Sequence, residues 1–255
     1  MPLLTDSHAH LDAREFDADR AAVLARARAA GIAHQIVPAV NAAGWEPLRA
    51  LCADAPDLHP AYGLHPMYLA DHAPQHLHLL ADWLRRERAV AIGECGLDFF
   101  IEGLAPDAQR AYFLRQLELA REFALPVIVH ARRALDEVIA TLRRVGGLRG
   151  VVHSFSGSEV QARELWKLGF RLGIGGPVTY PRAQRLRRIV AAMPLEHLLL
   201  ETDAPDQPGI GHRGQRNEPA HLVEVLDCVA ALRGVEPEAL AAATTRNAEE
   251  LFGLA

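Results

Sequence analysis

Short apolar runs alternate with longer amphipathic stretches along the whole chain, and the alternation repeats eight times. The apolar runs are Pro2-Leu3-Leu4, then "HQIVPAV", "LHPAYGLHP", "AVAIGE", "PVIVH", "GVVHSFSG", "FRLGIGG" and "HLLLETD". Each leads into a stretch with helical periodicity. The first, "DRAAVLARARAAG", is stopped by Gly31. Another starts near Glu46, and others span Gln75–Arg86, Asp107–Phe123 and Pro181–Ala192. Two more end near Gly146 and Gly169, and further helices close the chain. Val127-Ile128-Val129 and Leu198-Leu199-Leu200 are continuously apolar, as strands buried on both faces must be. Eight such units in 255 residues predict an α/β chain folded as a (β/α)8 TIM-like barrel, one domain over residues 1–255. A doubly wound open sheet is the competitor, but no Gly-rich phosphate turn follows the first strand.

Net charge is −5, so no overall basic field draws the chain onto nucleic acid or an anionic membrane, and a phosphate-bearing substrate needs a local basic patch. Cys52, Cys95 and Cys228 are far apart and odd in number, which indicates neither a disulfide framework nor a zinc ribbon. With no signal-like N-terminal segment and no apolar run of membrane-spanning length, a cytoplasmic location is expected.

Barrel chemistry gathers at the C-terminal ends of the strands. There the sequence offers His8 and His10 after run one, Glu94 after run four, His130 after run five, His153 after run six and Asp203 after run eight. His8 and His10 face the same way because side chains alternate along a strand. A lone histidine at a strand end is commonly structural, Glu94 alone is a candidate salt-bridge partner, and Asp203 alone is a candidate turn cap. Here five of eight strand ends carry a potential ligand. By contrast, His34, His59 and His197 begin strands, and His72, His76 and His78 fall in a polar stretch. Four imidazoles and two carboxylates suit zinc, manganese, iron or cobalt. They are too many for one tetrahedral ion with an open position, but they suit two divalent ions joined by an anionic bridge. Lys167, the single lysine, lies on the helix after strand six and cannot supply a carbamate bridge, which leaves Glu94.

The successive segments "DSHAHLD", "GLHP", "AIGECGLDFF", "QRAYFLRQLELAREFALPVIVHARRA", "VVHSFSGS", "LGIGGPVTYPRA", "LLLETDAP" and "RGQRNEP" resemble, in order, those of the TatD family of metal-dependent hydrolases. The resemblance implies a TIM-like barrel with a divalent-metal centre (two ions per chain, zinc, magnesium, manganese or similar) and deoxyribonuclease activity on phosphodiester bonds. It also implies that His8, His10, Glu94 and Asp203 hold one ion, and that Glu94, His130 and His153 hold the other. Many members read Ser-Arg-Asp-Ala after the strand-five histidine, where this chain has Ala131-Arg132-Arg133-Ala134; many have Tyr where it has Phe99. Both departures fall on the substrate rim.

Two metal ions acidify a water molecule and polarise the oxygen under attack. Asp203 is then the expected proton acceptor, with Glu94 the bridge. Glu201, two residues earlier on the same strand face, is expected to orient a ligand histidine, with a core salt bridge as its rival role. Substrate contacts are expected from His65 (a structural role beside Pro66 is the rival), from the Arg132 guanidinium and from Thr179 in "GIGGPVTYPRA". Arg213 and Arg216 add charge near the mouth, Asn217 is a candidate helix cap, and Tyr68, Phe99, Phe100 and Tyr180 are candidate stacking partners. The expected substrate is DNA or another phosphodiester cut by a nuclease acting at single-stranded ends. The alternative is a carboxylic ester, lactone, amide or aminoacyl-tRNA ester. A scaffold that has lost catalysis would show decayed ligands, and none of the six is missing.

Overall fold

The computed structural model describes residues 3–254. Eight parallel strands lie in chain order: β1 (Leu4–Asp6), β2 (Ile32–Pro38), β3 (Leu58–Tyr62), β4 (Ala91–Asp98), β5 (Val127–Arg132), β6 (Gly150–Val152), β7 (Phe170–Ile174) and β8 (Leu198–Leu200). Helices α1 (Arg20–Ala29), α2 (Trp45–Ala53), α3 (Gln75–Arg86), α4 (Pro106–Glu122), α5 (Leu135–Val145), α6 (Glu159–Lys167) and α7 (Gln184–Ala192) fill the connections, and α8 (Leu222–Arg233) and α9 (Pro237–Phe252) follow β8. This is the (β/α)8 barrel expected from the alternating pattern. No helix among the described residues is long and apolar enough to cross a membrane.

The period-two pattern of the strands sorts their side chains into two layers. Ile36, Ala61, Ala91, Ile128, Val151 and Leu199 form one buried cluster with Leu251 and Phe252 of α9. Their strand neighbours Val37, Ile92, Val127, Val129, Val152, Leu198 and Leu200 belong to the other cluster, shared with the outer helices. Both faces are therefore buried, which accounts for the unbroken apolar runs.

The seam between β1 and β8 is closed by the chain just beyond the two strands. Ser7 N–H donates to Leu200 O at 3.0 Å, Asp203 N–H to His8 O at 2.9 Å and His10 N–H to Ala204 O at 2.7 Å. Asp6, fully buried, buttresses it by accepting from Thr202 N–H at 3.0 Å and Thr202 Oγ1 at 2.6 Å. The same seam carries His8, His10 and Asp203.

Three strand boundaries differ from the sequence reading. β1 ends at Asp6, so His8 and His10 lie past its end; Pro2, placed in that run, is outside the described residues. Glu94 does not end β4 but sits midway along it. A register shift between Ile92 and Cys95 makes Gly93 and Glu94 of β4 oppose the single residue Ile128 of β5, and such a bulge re-aims a side chain. His130 likewise lies two residues before the end of β5.

β4 and β5 pack so closely here that Gly96, at φ 150°, has no room for a side chain: a Cβ would stand 2.0 Å from His130 O. Gly96→Ala is expected to cost on the order of 3 kcal/mol, read as a lower denaturation midpoint with an unchanged m-value; an unchanged midpoint would contradict this packing.

Candidate metal centre

Glu94 is buried, with 1% of its surface exposed, and its two oxygens face different sets of nitrogens. On one side, Oε2 lies 3.1 Å from His8 Nε2 and 3.5 Å from His10 Nε2. Asp203 Oδ1 completes this group at 3.5 Å from His8 Nε2 and 3.8 Å from His10 Nε2, and the two imidazole nitrogens are 3.2 Å apart. On the other side, Oε1 lies 2.7 Å from His153 Nε2, 3.0 Å from His130 Nδ1 and 2.9 Å from His65 Nε2.

The donors of the first group match a cation cage. Four ligands at ordinary zinc distances stand about 3.4 Å apart around a tetrahedral ion. The five separations that involve His8 or His10 run from 3.1 to 3.8 Å. Glu94 Oε2 is also buried without any hydrogen-bond partner, a costly state for a carboxylate oxygen that a cation would relieve. Donor set and orphaned oxygen both fit a divalent metal.

The outer nitrogens of two histidines are already committed. His10 Nδ1 faces the Pro38 carbonyl at 3.2 Å, and a carbonyl can only accept, so Nδ1 carries a proton and Nε2 is the nitrogen turned to the cage. His130 Nε2 lies 2.9 Å from Asp98 Oδ2, which leaves Nδ1 facing Glu94. Asp98 is in turn fixed by Phe100 N–H and Ile101 N–H, which donate to its Oδ1. This carboxylate–imidazole pairing raises ligand basicity and fixes ring orientation.

His65 has the opposite polarity. Its Nδ1 accepts from Met67 N–H at 3.1 Å, so the proton sits on Nε2 and is donated to Glu94. The expected substrate contact is thus a buried imidazole turned inward onto Glu94, 4% exposed. Thr179 is also tied up by backbone, donating to Gly176 O of its own loop at 2.7 Å and accepting from Ile210 N–H of a second loop at 2.8 Å. Arg132 does lie on the rim, exposed, with its guanidinium carbon 3.7 Å from the Phe100 ring centre. Glu201 is buried, accepts from Ser154 N–H at 2.5 Å and approaches His153 Nδ1 no nearer than 3.8 Å, beyond a hydrogen bond. It fits only because Gly173 has no Cβ, which would stand 2.0 Å from Oε2. Arg216 pairs with Asp19 rather than facing the mouth, and Lys167 pairs with Glu164 on α6.

Burial alone would keep Glu94 protonated, but the imidazoles of His153, His65 and His8 and the His10 contact outweigh it, holding its carboxyl well below the usual range. Burial and the neighbouring His153 push His8 down to about 4 against the pull of Glu94. His65 is likewise pushed down to about 4 by burial. In His10 and His153 burial is outweighed by Glu94 and Asp203, which raise them to about 9 and about 10.

Asp98, Gln207 and Asn217 were not singled out for these roles. Gln207 donates from Nε2 to Asp203 Oδ2, and Ser154 Oγ donates to Gln207 Oε1 at 2.9 Å. Asn217 is no simple cap: its amide donates to Thr202 O and Asp206 O, both at 2.9 Å, and so fixes the loop that carries Asp203 at φ 59°. Only Asp98 left a signal in the sequence, being four residues after Glu94 on one strand and hence on the same side.

The "TatD related DNase" family model matches residues 5–253. The chain belongs to the TatD family. It is a metal-dependent hydrolase of that family, acting on ester bonds. It is 42% identical over 254 residues to the metal-dependent hydrolase YjjV of Escherichia coli K12, covering 98% of this chain and 97% of that one. The crystal structure of YjjV, a TatD homologue, superposes with a TM-score of 0.95 at 39% identity, over 99% of this chain and 98% of that one. A Klebsiella pneumoniae relative, the 3′-5′ ssDNA/RNA exonuclease TatD, is 36% identical over 260 residues, 98% of this chain and 97% of the relative.

Two outcomes follow for this TatD-family centre. Asp98→Asn is expected to weaken metal binding about 10–100-fold, measured by metal titration, with His130 left in place; unchanged affinity would remove Asp98 from the support of the centre. Because neighbouring carboxylates raise His10, His130 and His153 above the ordinary imidazole range, metal loading at pH 7 is expected to release protons. Calorimetry in buffers of different ionisation enthalpy reads this directly, and zero release would contradict it.

Proposed function

We propose that this TatD-family hydrolase cuts phosphodiester bonds of single-stranded nucleic acid from an end, using two divalent cations bridged by Glu94. The observation that carries the reading is the Glu94 carboxylate, each of whose oxygens faces its own group of imidazoles. His8, His10 and Asp203 would hold one cation beside Glu94 Oε2, and His130 and His153 the other beside Oε1. Bound there, the two cations would supply an acidified water and polarise the phosphoryl oxygen. The exonuclease naming of the Klebsiella relative supports nucleic acid as substrate.

The remaining work falls to side chains. Asp203 is the proton acceptor: Gln207 holds its Oδ2, Oδ1 faces the cage, and its side chain is 12% exposed, within reach of solvent. The proton it takes returns to the leaving oxygen, so the carboxylate is regenerated. His65 keeps Glu94 oriented through its Nε2–H. Arg132, without an ion-pair or hydrogen-bond partner among the described residues, offers a forked guanidinium to the substrate phosphate. That free charge favours a phosphate ester over an uncharged carboxylic ester, lactone or amide.

Glu94→Gln keeps the shape and removes the charge. It is expected to lose bound metal and to lower single-strand cleavage on the order of 10³-fold, assayed by metal analysis and by shortening of an end-labelled oligonucleotide. Full metal content, or a metal-loaded wild type that leaves DNA intact while turning over amides, would overturn the reading.

A further inference from the structure

Two of the histidines around Glu94 differ from the others. The outer nitrogens of His10 and His130 are committed, and Asp203 is held by Gln207. His8 and His153 have no such support: Nδ1 of each is buried without a hydrogen-bond partner among the described residues. Their rings stack, with centroids 4.0 Å apart and planes 13° from parallel. Glu94 spans the Nε2 side of this stack, with Oε2 3.1 Å from His8 Nε2 and Oε1 2.7 Å from His153 Nε2. The stack therefore joins the two halves of the centre, one ring from each.

A second buried carboxylate serves the Nδ1 side. Glu201 Oε1 lies 3.8 Å from His153 Nδ1, and one ligand atom each of His8, His153 and Glu201 lie within 4.8 Å of one another. Oε1 accepts from Ser154 N–H, but Oε2 is buried without a partner, in space left by the missing side chain of Gly173. Three unpaired polar atoms, two nitrogens and one oxygen, thus meet in one buried place, an arrangement that is costly unless something bonds to all of them. A contact of 3.8 Å is too long for a direct hydrogen bond. Two atoms bonded to the same water stand about 4.6 Å apart, and a buried water makes about three such bonds. A ring nitrogen turned to a cation carries no proton, so a neutral His8 or His153 holds its proton on Nδ1. One water that accepts from both Nδ1–H groups and donates to Glu201 Oε2 satisfies all three atoms. A cation in the same place would require each ring to give up both of its protons.

We propose that Glu201 is a positioning residue shared by both halves of the centre: through one buried water it fixes the tautomer and direction of His8 and of His153 together. This rests on the two-cation reading above. Sharing accounts for the distance Glu201 keeps, because a carboxylate closed onto one ring could not serve the other. It also supplies the outer partner that His8 and His153 otherwise lack, the role that Asp98 fills for His130 and the Pro38 carbonyl for His10. Glu94 and Glu201 then tie the same pair of rings from their two nitrogen sides.

The test reads ring protons and zinc affinity rather than turnover. In zinc-loaded protein with isotopically labelled histidine, proton–nitrogen ring spectra are expected to show His8 and His153 as Nδ1–H tautomers whose protons exchange slowly with solvent. His10, whose Nδ1–H meets the Pro38 carbonyl, is the internal control. In Glu201→Gln, Ser154 N–H keeps the amide oxygen, so the NH2 group takes the place of Oε2 and a donor faces the water where an acceptor stood. The His8 and His153 ring protons are then expected to shift and to exchange faster, that of His10 to stay, and both steps of a zinc titration to weaken about 10–100-fold. Unmoved ring protons and unchanged affinity, in a protein whose wild type binds two ions, overturn the shared water and leave the bridged centre standing. An effect confined to one ring and one step overturns the sharing. One ion more in wild type than in Glu201→Gln, with no proton on either Nδ1, makes this a cation site and overturns the proposal. A wild type that binds a single ion sinks the two-cation reading, while ring protons that still answer to Glu201 keep its link to His8 and His153. If Glu201→Gln does not fold, the wild-type spectra decide: slowly exchanging Nδ1–H protons on both rings support the proposal, and their absence overturns it.

Discussion

An ionised carboxylate shut away from water costs several kcal/mol unless cations or hydrogen-bond donors surround it, and Glu94 is such a group. Its burial inside a ring of five imidazoles is the constraint from which the centre follows. His8 and His10 must come from the β1 end, His65 from β3, His130 from β5 and His153 from β6. A closed parallel barrel is the arrangement that brings all these strand ends to one point. The β4 bulge supplies the remaining adjustment by turning Glu94 into the middle of the ring.

Fold and site share their supports. The seam that joins β1 to the segment after β8 is made by backbone bonds of Ser7, His10 and Asp203. Asp6 steadies that seam from within, and Asn217 steadies it from the following loop. Asp98 ties the end of β4 to His130, and Gln207 ties Asp203 to Ser154 beyond β6. The polar side chains around Glu94 thus hold the barrel mouth together, and His10, His130 and Asp203 each have a second partner that fixes their direction. Such outer partners set orientation and basicity as much as the ligands themselves do.

Much of this was legible in the chain. The barrel followed from apolar runs that cannot be half-buried, and α3 spans Gln75–Arg86 as the helical periodicity indicated. The convergence of His8, His10, Glu94, His130, His153 and Asp203 followed from strand ends sharing one face of a barrel. Three things were not legible. The bulge that re-aims Glu94 depends on register between strands, which one sequence does not carry. The inward turn of His65 depends on a single backbone N–H, that of Met67, reaching its Nδ1. The binding of Thr179 to Gly176 and Ile210 depends on two loops meeting. Strand register and single side-chain-to-backbone contacts leave no periodic trace.

The central claim is that Glu94 bridges two cations. Anomalous diffraction from crystals grown with manganese or zinc tests it most directly. The account predicts two peaks roughly 3.5–4 Å apart, one beside each Glu94 oxygen, with His8, His10 and Asp203 around the first and His130 and His153 around the second. A single peak, or two peaks of which one lies away from Glu94, would contradict it.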